Sequence, residues 1–570
     1  MPIPSKRWIV APPIGSQQLA LLPDLPPLIV QLLHNRKIAP ASAHEFLAGR
    51  GLGHDPFGSN RLKGIDQAVT RLRQAIDQRE PVAVYGDFDA DGVAATALLV
   101  EALRSLGAHV EPYIPHRVDE GYGLHLEALR TLYRKGVRVV VTVDCGIRSV
   151  EEVRRAGPHL AFIITDHHLP GDELPPATAV INPKQLGCPY PFKDLAGVGV
   201  AFKLAQGLLR VMKGRAEQAG VTEESLLDLV ALGTVSDLAP LLGENRTLVR
   251  RGLEALNAAP RPGVEALMAE AGLRRGDVDA AAVGFRLGPR LNAAGRLESA
   301  MLAYDLLTGR DPLLTRDGAT QLGELNRRRQ ELTEATFAAA EAQVLAEHPD
   351  AYLYFAASAD FPSGIVGLAA GRLADAYYRP TVVVEWGEEE SRGSCRSIRE
   401  FHITEALDRC QDLLIRHGGH AAAAGFTVAT RHLDALRRRL QELAAEQLAG
   451  ADLRPELKID AEVPLEEVDW ATFALLQQME PCGMDNPQPV LLSRNLPVTG
   501  RRTMGSEGQH LRLELLDERG VPRDAVLWRQ GNRLESVPGR VDVAYTLEVR
   551  EWNGNRTLRL NVQDLREPAA

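Results

Sequence analysis

Cysteine is scarce and scattered in this chain. Its five cysteines, Cys145, Cys188, Cys395, Cys410 and Cys482, include no C-x-x-C pair. That argues against a structural zinc and suits a reducing, cytoplasmic setting. Long apolar runs are missing as well. No stretch could span a bilayer, so no membrane role is expected, and Met1-Pro-Ile-Pro-Ser-Lys-Arg7 lacks the apolar segment of a secretory signal. Positive charge is not in excess. The net charge of −10 announces no nucleic-acid binder, although a sum says little about local patches. There is no Walker lysine motif and no H-E-x-x-H, so ATP-driven unwinding and zinc proteolysis are unsupported. Gly197-Val-Gly199 lacks both a third glycine and a preceding strand, which leaves dinucleotide binding without support. No internal repeat or low-complexity tract occurs.

What is present is ordinary globular material: 45% apolar and 25% charged residues over 570 positions, enough for three or four domains. Residues 1–75 read as a helical and irregular region. From 76 to 317, short β-rich runs such as Val82–Tyr85, Val137–Val143 and Leu160–Ile164 alternate with helical stretches, the pattern of a parallel sheet covered by helices. Residues 318–347 form one uninterrupted helical pattern, a candidate inter-domain connector. A second, smaller α/β unit is expected over 348–450, with strands at 352–356 and 381–385 and helices at 365–377 and 404–416. Residues 451–570 change to short alternating runs, which predicts an all-β barrel. The fold class is therefore α/β: two α/β domains joined by a long helix, plus a C-terminal OB-like barrel.

The densest chemistry follows the first strand. Gly86-Asp-Phe-Asp-Ala-Asp-Gly92 places Asp87, Asp89 and Asp91 at period two before a helix start. Carboxylates this close repel one another unless a cation neutralises them, and oxygen ligands of this kind favour Mg²⁺ or Mn²⁺. Three further elements repeat the theme: Val143-Asp144-Cys-Gly, Thr165-Asp166-His167-His168 and Gly233-Thr-Val-Ser-Asp237. Asp144 or Asp237 alone could equally be a helix cap, but parallel strands bring their carboxyl ends together. At least five carboxylates with one or two imidazoles fit two metals ~3.5–4 Å apart, which activate a shared water and clamp a phosphoryl centre.

These four elements, in this order and spacing, resemble the motifs of the DHH phosphoesterase superfamily. Pro115-His-Arg117-Val-Asp-Glu-Gly-Tyr122-Gly resembles its EGYG segment, and Gly288-Pro-Arg290-Leu-Asn292-Ala-Ala-Gly-Arg296 its arginine–asparagine loop. Leu325-Asn-Arg-Arg-Arg-Gln330 lies on the connector. His417-Gly418-Gly419-His420 resembles the glycine-rich signature of the accompanying DHHA1 domain. Pro481-Cys482-Gly-Met-Asp485-Asn-Pro-Gln-Pro489 is similar to a further family element, departing from it at Cys482 and Asp485. Together the set spans nearly the whole chain and resembles the RecJ family of single-strand-specific 5′→3′ DNA exonucleases.

The resemblance implies the following expectations. Asp89 and Asp144, with Asp87, hold one divalent cation. Asp91, Asp144, His167 and Asp237 hold the other, with Asp144 bridging. Asp166 orients an imidazole, and His168 contacts the scissile phosphate or assists the leaving oxygen. Arg117, Tyr122, Arg290, Asn292 and Arg296 face DNA phosphates. Ser394, Arg396 and Ser397 grip the 5′ end, with Gly418, Gly419 and His420 beside them. The C-terminal barrel, with Trp528, Tyr545 and Trp552 among many arginines, tracks single strands. The activity implied is hydrolysis of single-stranded DNA to 5′-mononucleotides with Mn²⁺ or Mg²⁺, in recombination and repair. A single-strand-binding protein and a RecQ-type helicase are the implied partners of a monomer. Two rivals share the fold: a phosphodiesterase of short oligonucleotides or cyclic dinucleotides, and a non-catalytic DNA-holding scaffold.

Overall fold

The computed structural model describes residues 5–49, 53–58, 61–117, 119–552 and 554–568. The chain divides into two compact units. One comprises residues 52–239 and 251–454; the other comprises 5–51, 240–250 and 455–570.

The first unit contains both α/β sheets. Strands β1 (Val82–Tyr85), β2 (Val110–Tyr113), β3 (Val139–Val143), β4 (Ala161–Thr165) and β5 (Ala179–Ile181) pair in parallel in the order β2-β1-β3-β4-β5. Strands β1 and β3 are buried at every position. Their unbroken Val-rich runs are therefore those of a sheet covered on both faces. Helix α1 (Ala90–Ser105) follows β1 and packs against α2 (Gly197–Val211) and α3 (Leu227–Ser236). Nearly all of α1 is buried, as its apolar sequence requires of a helix enclosed by others. The strand order sets β1, β3 and β4 side by side, so their carboxyl ends share one edge.

A π-helical turn, Val283–Leu287, leads into α4 (Gly288–Leu297). The connector α5 runs over Pro312–Glu347, 36 residues, about 54 Å at 1.5 Å per residue. It starts before the expected position 318 because Asp311 caps it, accepting from the N–H groups of Leu313 and Leu314, with Pro312 at its first position.

The second sheet is mixed: β6 (Tyr354–Ser358), β7 (Thr381–Glu385), β8 (Glu390–Arg396), β9 (Leu414–His420) and β10 (Ala423–Ala429), in the order β9-β10-β8-β7-β6. Only β6 and β7 are parallel. Helix α6 (Ser363–Tyr377) packs on β7 and β8 and against α5. Here the structure corrects the sequence reading. The helix expected over 404–416 covers only Ile403–Asp408, and Leu414 begins an edge strand. Gly418 and Gly419 disfavour helix, and pairing with β10 satisfies this segment's backbone. The segments holding Ser394, Arg396, Gly418 and Gly419 are thus strands. Gly393 lies beneath the Phe426 ring, where a Cβ would fall 2.1 Å from Cζ.

The second unit holds the barrel. Strands β11 (Leu491–Met504), β12 (His510–Leu516), β13 (Pro522–Leu527), β14 (Arg540–Trp552) and β15 (Asn555–Arg566) close in the order β11-β12-β13-β15-β14, with β14 returning to β11. Leu511, Leu513, Leu515, Val541, Val543 and Tyr545 fill it. The start of the chain joins this unit, which the sequence did not suggest. Arg7–Val10 pairs in parallel with Glu456–Ile459, and helix Pro27–Asn35 buries Ile29, Val30, Leu32 and Leu33 in the same core as the barrel. Among the described residues no helix is long and apolar enough to cross a membrane.

Candidate metal centre and phosphate cradle

The carboxyl ends of β1, β3 and β4 and the end of α3 carry the acidic elements to one place. Three overlapping sets of potential ligand atoms each lie within 4.8 Å of one another: Asp87, Asp89 and Asp144; Asp91, His167 and Asp237; and Asp144, His167 and His168. His167 lies between two acids, with Nε2 3.1 Å from Asp144 Oδ1 and Nδ1 3.8 Å from Asp237 Oδ2. Despite that proximity, Asp87 Oδ1, Asp144 Oδ1 and His167 Nε2 are buried without any hydrogen-bond partner. Buried polar atoms are rarely left so. Three of them converging within a carboxylate cluster is the arrangement of ligands around a cation, and the residues fit divalent metals.

The electrostatics agree. Burial pushes the Asp87, Asp144 and Asp237 carboxyls well above the usual range, and mutual repulsion with neighbouring acids adds to it. Asp91 rises to about 7 from burial and from Asp89. His167 falls to about 3, through burial first and then the neighbouring His168. It is therefore the neutral imidazole that metal coordination requires. Protein alone leaves this cluster poorly ionised, and a cation reverses that.

Backbone groups fix the cluster. Asp89 caps α1, accepting from the N–H groups of Asp91 and Gly92. Asp91 accepts from Gly197 N–H (2.7 Å) and Val198 N–H (3.0 Å) at the start of α2. Asp166 accepts from the N–H groups of Ile147, His167 and His168 and holds His168 Nδ1 at 2.8 Å. These bonds keep its carboxyl low despite burial. Asp166 belongs to none of the three sets of potential ligands. Asn292 Oδ1 accepts from Ala90 N–H at 2.9 Å, so it braces the acidic loop.

Beside the acids lies a set of arginines. Arg117 lies over the Phe88 ring at 4.5 Å. Arg296, on α4, donates to Gly364 O at the start of α6. Burial lowers its guanidinium to about 9, and Arg117, Arg329 and Arg396 lower it further while Asp89 opposes them. Arg396 donates to Ser394 Oγ at 3.2 Å. Among the described residues, none of Arg117, Arg296, Arg329 and Arg396 forms an ion pair. Four guanidinium groups drawn together without an ion pair, with Asp87 and Asp89 as the neighbouring acids, suit an anion.

The other expected residues make the following contacts. Arg290 donates to Arg286 O and lies among Glu270, Arg286 and Arg327. Ser397 Oγ donates to Phe401 O. Gly418, Gly419 and His420 stand exposed on the edge strand. Tyr545 is barrel core, its hydroxyl against Ser493 Oγ at 2.9 Å, whereas Trp528 is 39% exposed, with Arg559 over its ring at 5.2 Å. The side chain of Trp552 lies outside the described residues.

Three functional contributions escaped the sequence. Gly197 and Val198, dismissed as a weak dinucleotide string, hold Asp91. Asn182, fully buried, donates to His168 O at 2.8 Å. Arg329 comes from the connector. Its RRRQ run was visible, but helical register alone does not say which arginine turns inward. A surface cavity of about 610 Å³ lined by Arg71, Arg138, His159 and Phe162 opens at the amino ends of β3 and β4, away from this cluster.

Comparison with known proteins gives a consistent result. Residues 81–234 match the DHH family, N-terminal domain; residues 350–446 match the DHHA1 domain; residues 459–564 match the RecJ OB domain. The single-stranded-DNA-specific exonuclease RecJ of Bacillus subtilis (strain 168) is 38% identical over 98% of this chain and 70% of its own length. That of Escherichia coli (strain K12) is 34% identical over 95% of this chain and 96% of its own. The crystal structure of RecJ in complex with Mn²⁺ from Thermus thermophilus superposes with a TM-score of 0.84 at 32% identity, covering 99% of this chain and 80% of that one. A second structure of that protein contains Mg²⁺ (TM-score 0.77). With the motifs, the three domains and full-length relatives in agreement, the chain belongs to the RecJ family of single-stranded-DNA-specific exonucleases.

Proposed function

We propose that this protein removes 5′-mononucleotides from the 5′ end of single-stranded DNA. That it is a metal-dependent nuclease specific for single-stranded DNA follows from its family. The polarity and the residue roles are our reading. One observation carries it: buried, partnerless Asp87 Oδ1, Asp144 Oδ1 and His167 Nε2 lie beside arginines without ion pairs.

In this reading Asp87, Asp89 and Asp144 hold one cation, and Asp91, His167 and Asp237 hold the other, sharing Asp144. When bound, the cations supply an activated water and neutralise charge developing at phosphorus. Arg117, Arg296, Arg329, Arg396 and Ser394 take the terminal phosphate, which places a 5′ end against the metals. His168, fixed by Asp166, serves the scissile phosphate or the leaving 3′-oxygen. The barrel, with Trp528 and its arginines, guides the following strand by stacking and charge. Because a single strand is the substrate, a helicase and a single-strand-binding protein are the expected partners in repair and recombination.

The test is digestion of single strands of graded length, labelled at either end, with Mn²⁺ or Mg²⁺. Stepwise 5′-mononucleotide release from long strands, with duplex spared, is expected. Release from the 3′ end, or action confined to the shortest oligonucleotides, would reject the reading.

A further inference from the structure

Tyr122 belongs to a segment that resembles a DNA-contacting element, yet its hydroxyl is turned to the protein. It donates to the backbone carbonyl of Asp144 at 3.3 Å and stands 3.1 Å from His168 Nδ1. The Tyr122 and His168 rings meet edge to face, centroids 5.6 Å apart. His168 Nδ1 is also 2.8 Å from Asp166 Oδ1. An ionised carboxylate only accepts, so Nδ1 carries the proton and donates to Asp166, with the Tyr122 oxygen as a second acceptor. The phenol proton is then free for the Asp144 carbonyl.

Asp144 needs such support. Its φ of +61° lies in the left-handed region, sparsely populated by non-glycine residues and maintained only where surroundings enforce it. Tyr122 is itself held firmly. Gly121 and Gly123 both have positive φ, which lets the loop double back. On one side Glu120 accepts from Tyr113 Oη–H and His116 N–H; on the other Gly123 O accepts from Tyr85 Oη–H.

We infer that Tyr122 is a positioning residue: its hydroxyl locks the strained Asp144 backbone and the His168 ring together, presetting a metal-bridging carboxylate and the neighbouring imidazole. This inference rests on the proposed two-metal reading of the site.

The test is Tyr122→Phe, which deletes the hydroxyl and keeps the ring. Three measurements separate the possibilities: Mn²⁺ titration calorimetry without DNA, single-strand binding in EDTA, and steady-state digestion. Manganese affinity and kcat are each expected to fall roughly tenfold or more, the usual effect of losing a group that orients ligands, while KM and DNA affinity in EDTA stay at wild-type values. An unchanged manganese isotherm overturns the inference. So does weakened DNA binding in EDTA, which would make Tyr122 a strand contact. If the wild type itself releases no nucleotides, the proposed function falls instead, and the manganese isotherms still judge the role of Tyr122.

Discussion

Gly197 lies directly against the Asp144 carboxylate: a Cβ there would sit 2.6 Å from Asp144 Oδ1 and 2.7 Å from its Cβ. The same residue donates its N–H to Asp91. One glycine at the head of α2 therefore spaces Asp91, proposed for one cation, from Asp144, proposed for both. Gly197→Ala is expected to displace Asp144, weaken Mn²⁺ binding tenfold or more and lower kcat accordingly. Calorimetry with Mn²⁺, beside a melting curve showing a folded protein, checks this. Wild-type metal affinity in the variant would contradict the packing argument.

Asp144→Ala removes the ligand proposed to be shared but no group of the arginine cradle. Digestion should be lost, while single-strand affinity in EDTA stays within about twofold. Loss of both activities in a folded protein would show that Asp144 shapes the strand site as well.

The metal centre makes stability pH-dependent in an unusual direction. Asp91 titrates near 7 in the folded protein, far above the unfolded value, so the native state binds more protons than the unfolded chain. Stability then falls as pH rises toward and through 7. His167, lowered to about 3, acts with the opposite sign, but only below its unfolded value near 6.5. Between pH 6.5 and 8 the carboxyls dominate, and His168, whose pKa is raised, has the same sign as they do. Metal-free protein should therefore melt at lower temperature at pH 8 than at pH 6.5, and saturating Mn²⁺ should remove the difference. Binding of Mn²⁺ near pH 7 should also release protons, seen as a dependence of calorimetric heat on buffer ionisation.

Arg396→Ala and Arg296→Ala test the cradle. Each removes one phosphate-directed cation, so the slope of log affinity against log salt should fall by roughly 0.7–1 for a 5′-phosphorylated single strand. Anisotropy titrations in EDTA from low to moderate salt measure it. An unchanged slope removes that arginine from the phosphate path. Arg290→Ala, placed instead among Glu270, Arg286 and Arg327, should leave the slope as it is.

Within the barrel unit, fully buried Arg246 donates to the carbonyls of Phe46, Gln478, Met479, Glu480 and Pro481 and lies 3.9 Å from the Phe46 ring centroid. Arg246→Met removes all five bonds; the Met479 and Pro481 carbonyls keep Asn486 Nδ2 as donor, whereas those of Phe46, Gln478 and Glu480 lose their side-chain donor. A loss of about 3 kcal/mol or more is expected, measurable by guanidinium unfolding.

The chemistry and the order of the layers were legible in the chain alone. Unbroken Val-rich runs ending in Asp or His read as buried parallel strands with their functional ends on one edge, so Asp87, Asp89, Asp91, Asp144 and His167 stood out together, and Asp237, after a helix, joined them through its motif. Period-two alternation made the barrel legible in the same way. Folding in three dimensions settled who faces whom. The strand Leu414–His420 was missed, its first residues being read as the end of a helix over 404–416, because Gly418 and Gly419 carry no periodic signal. The resemblance placed Asn292 and Tyr122 toward DNA, but only folding shows that Asn292 Oδ1 accepts from Ala90 N–H and that the hydroxyl of the half-exposed Tyr122 donates to Asp144 O. Gly197 and Arg329 were invisible as site residues because their partners, Asp144 and Arg296, are distant in sequence. Local sequence encodes periodicity and residue chemistry; contacts across such separations exist only once the backbone has closed around them.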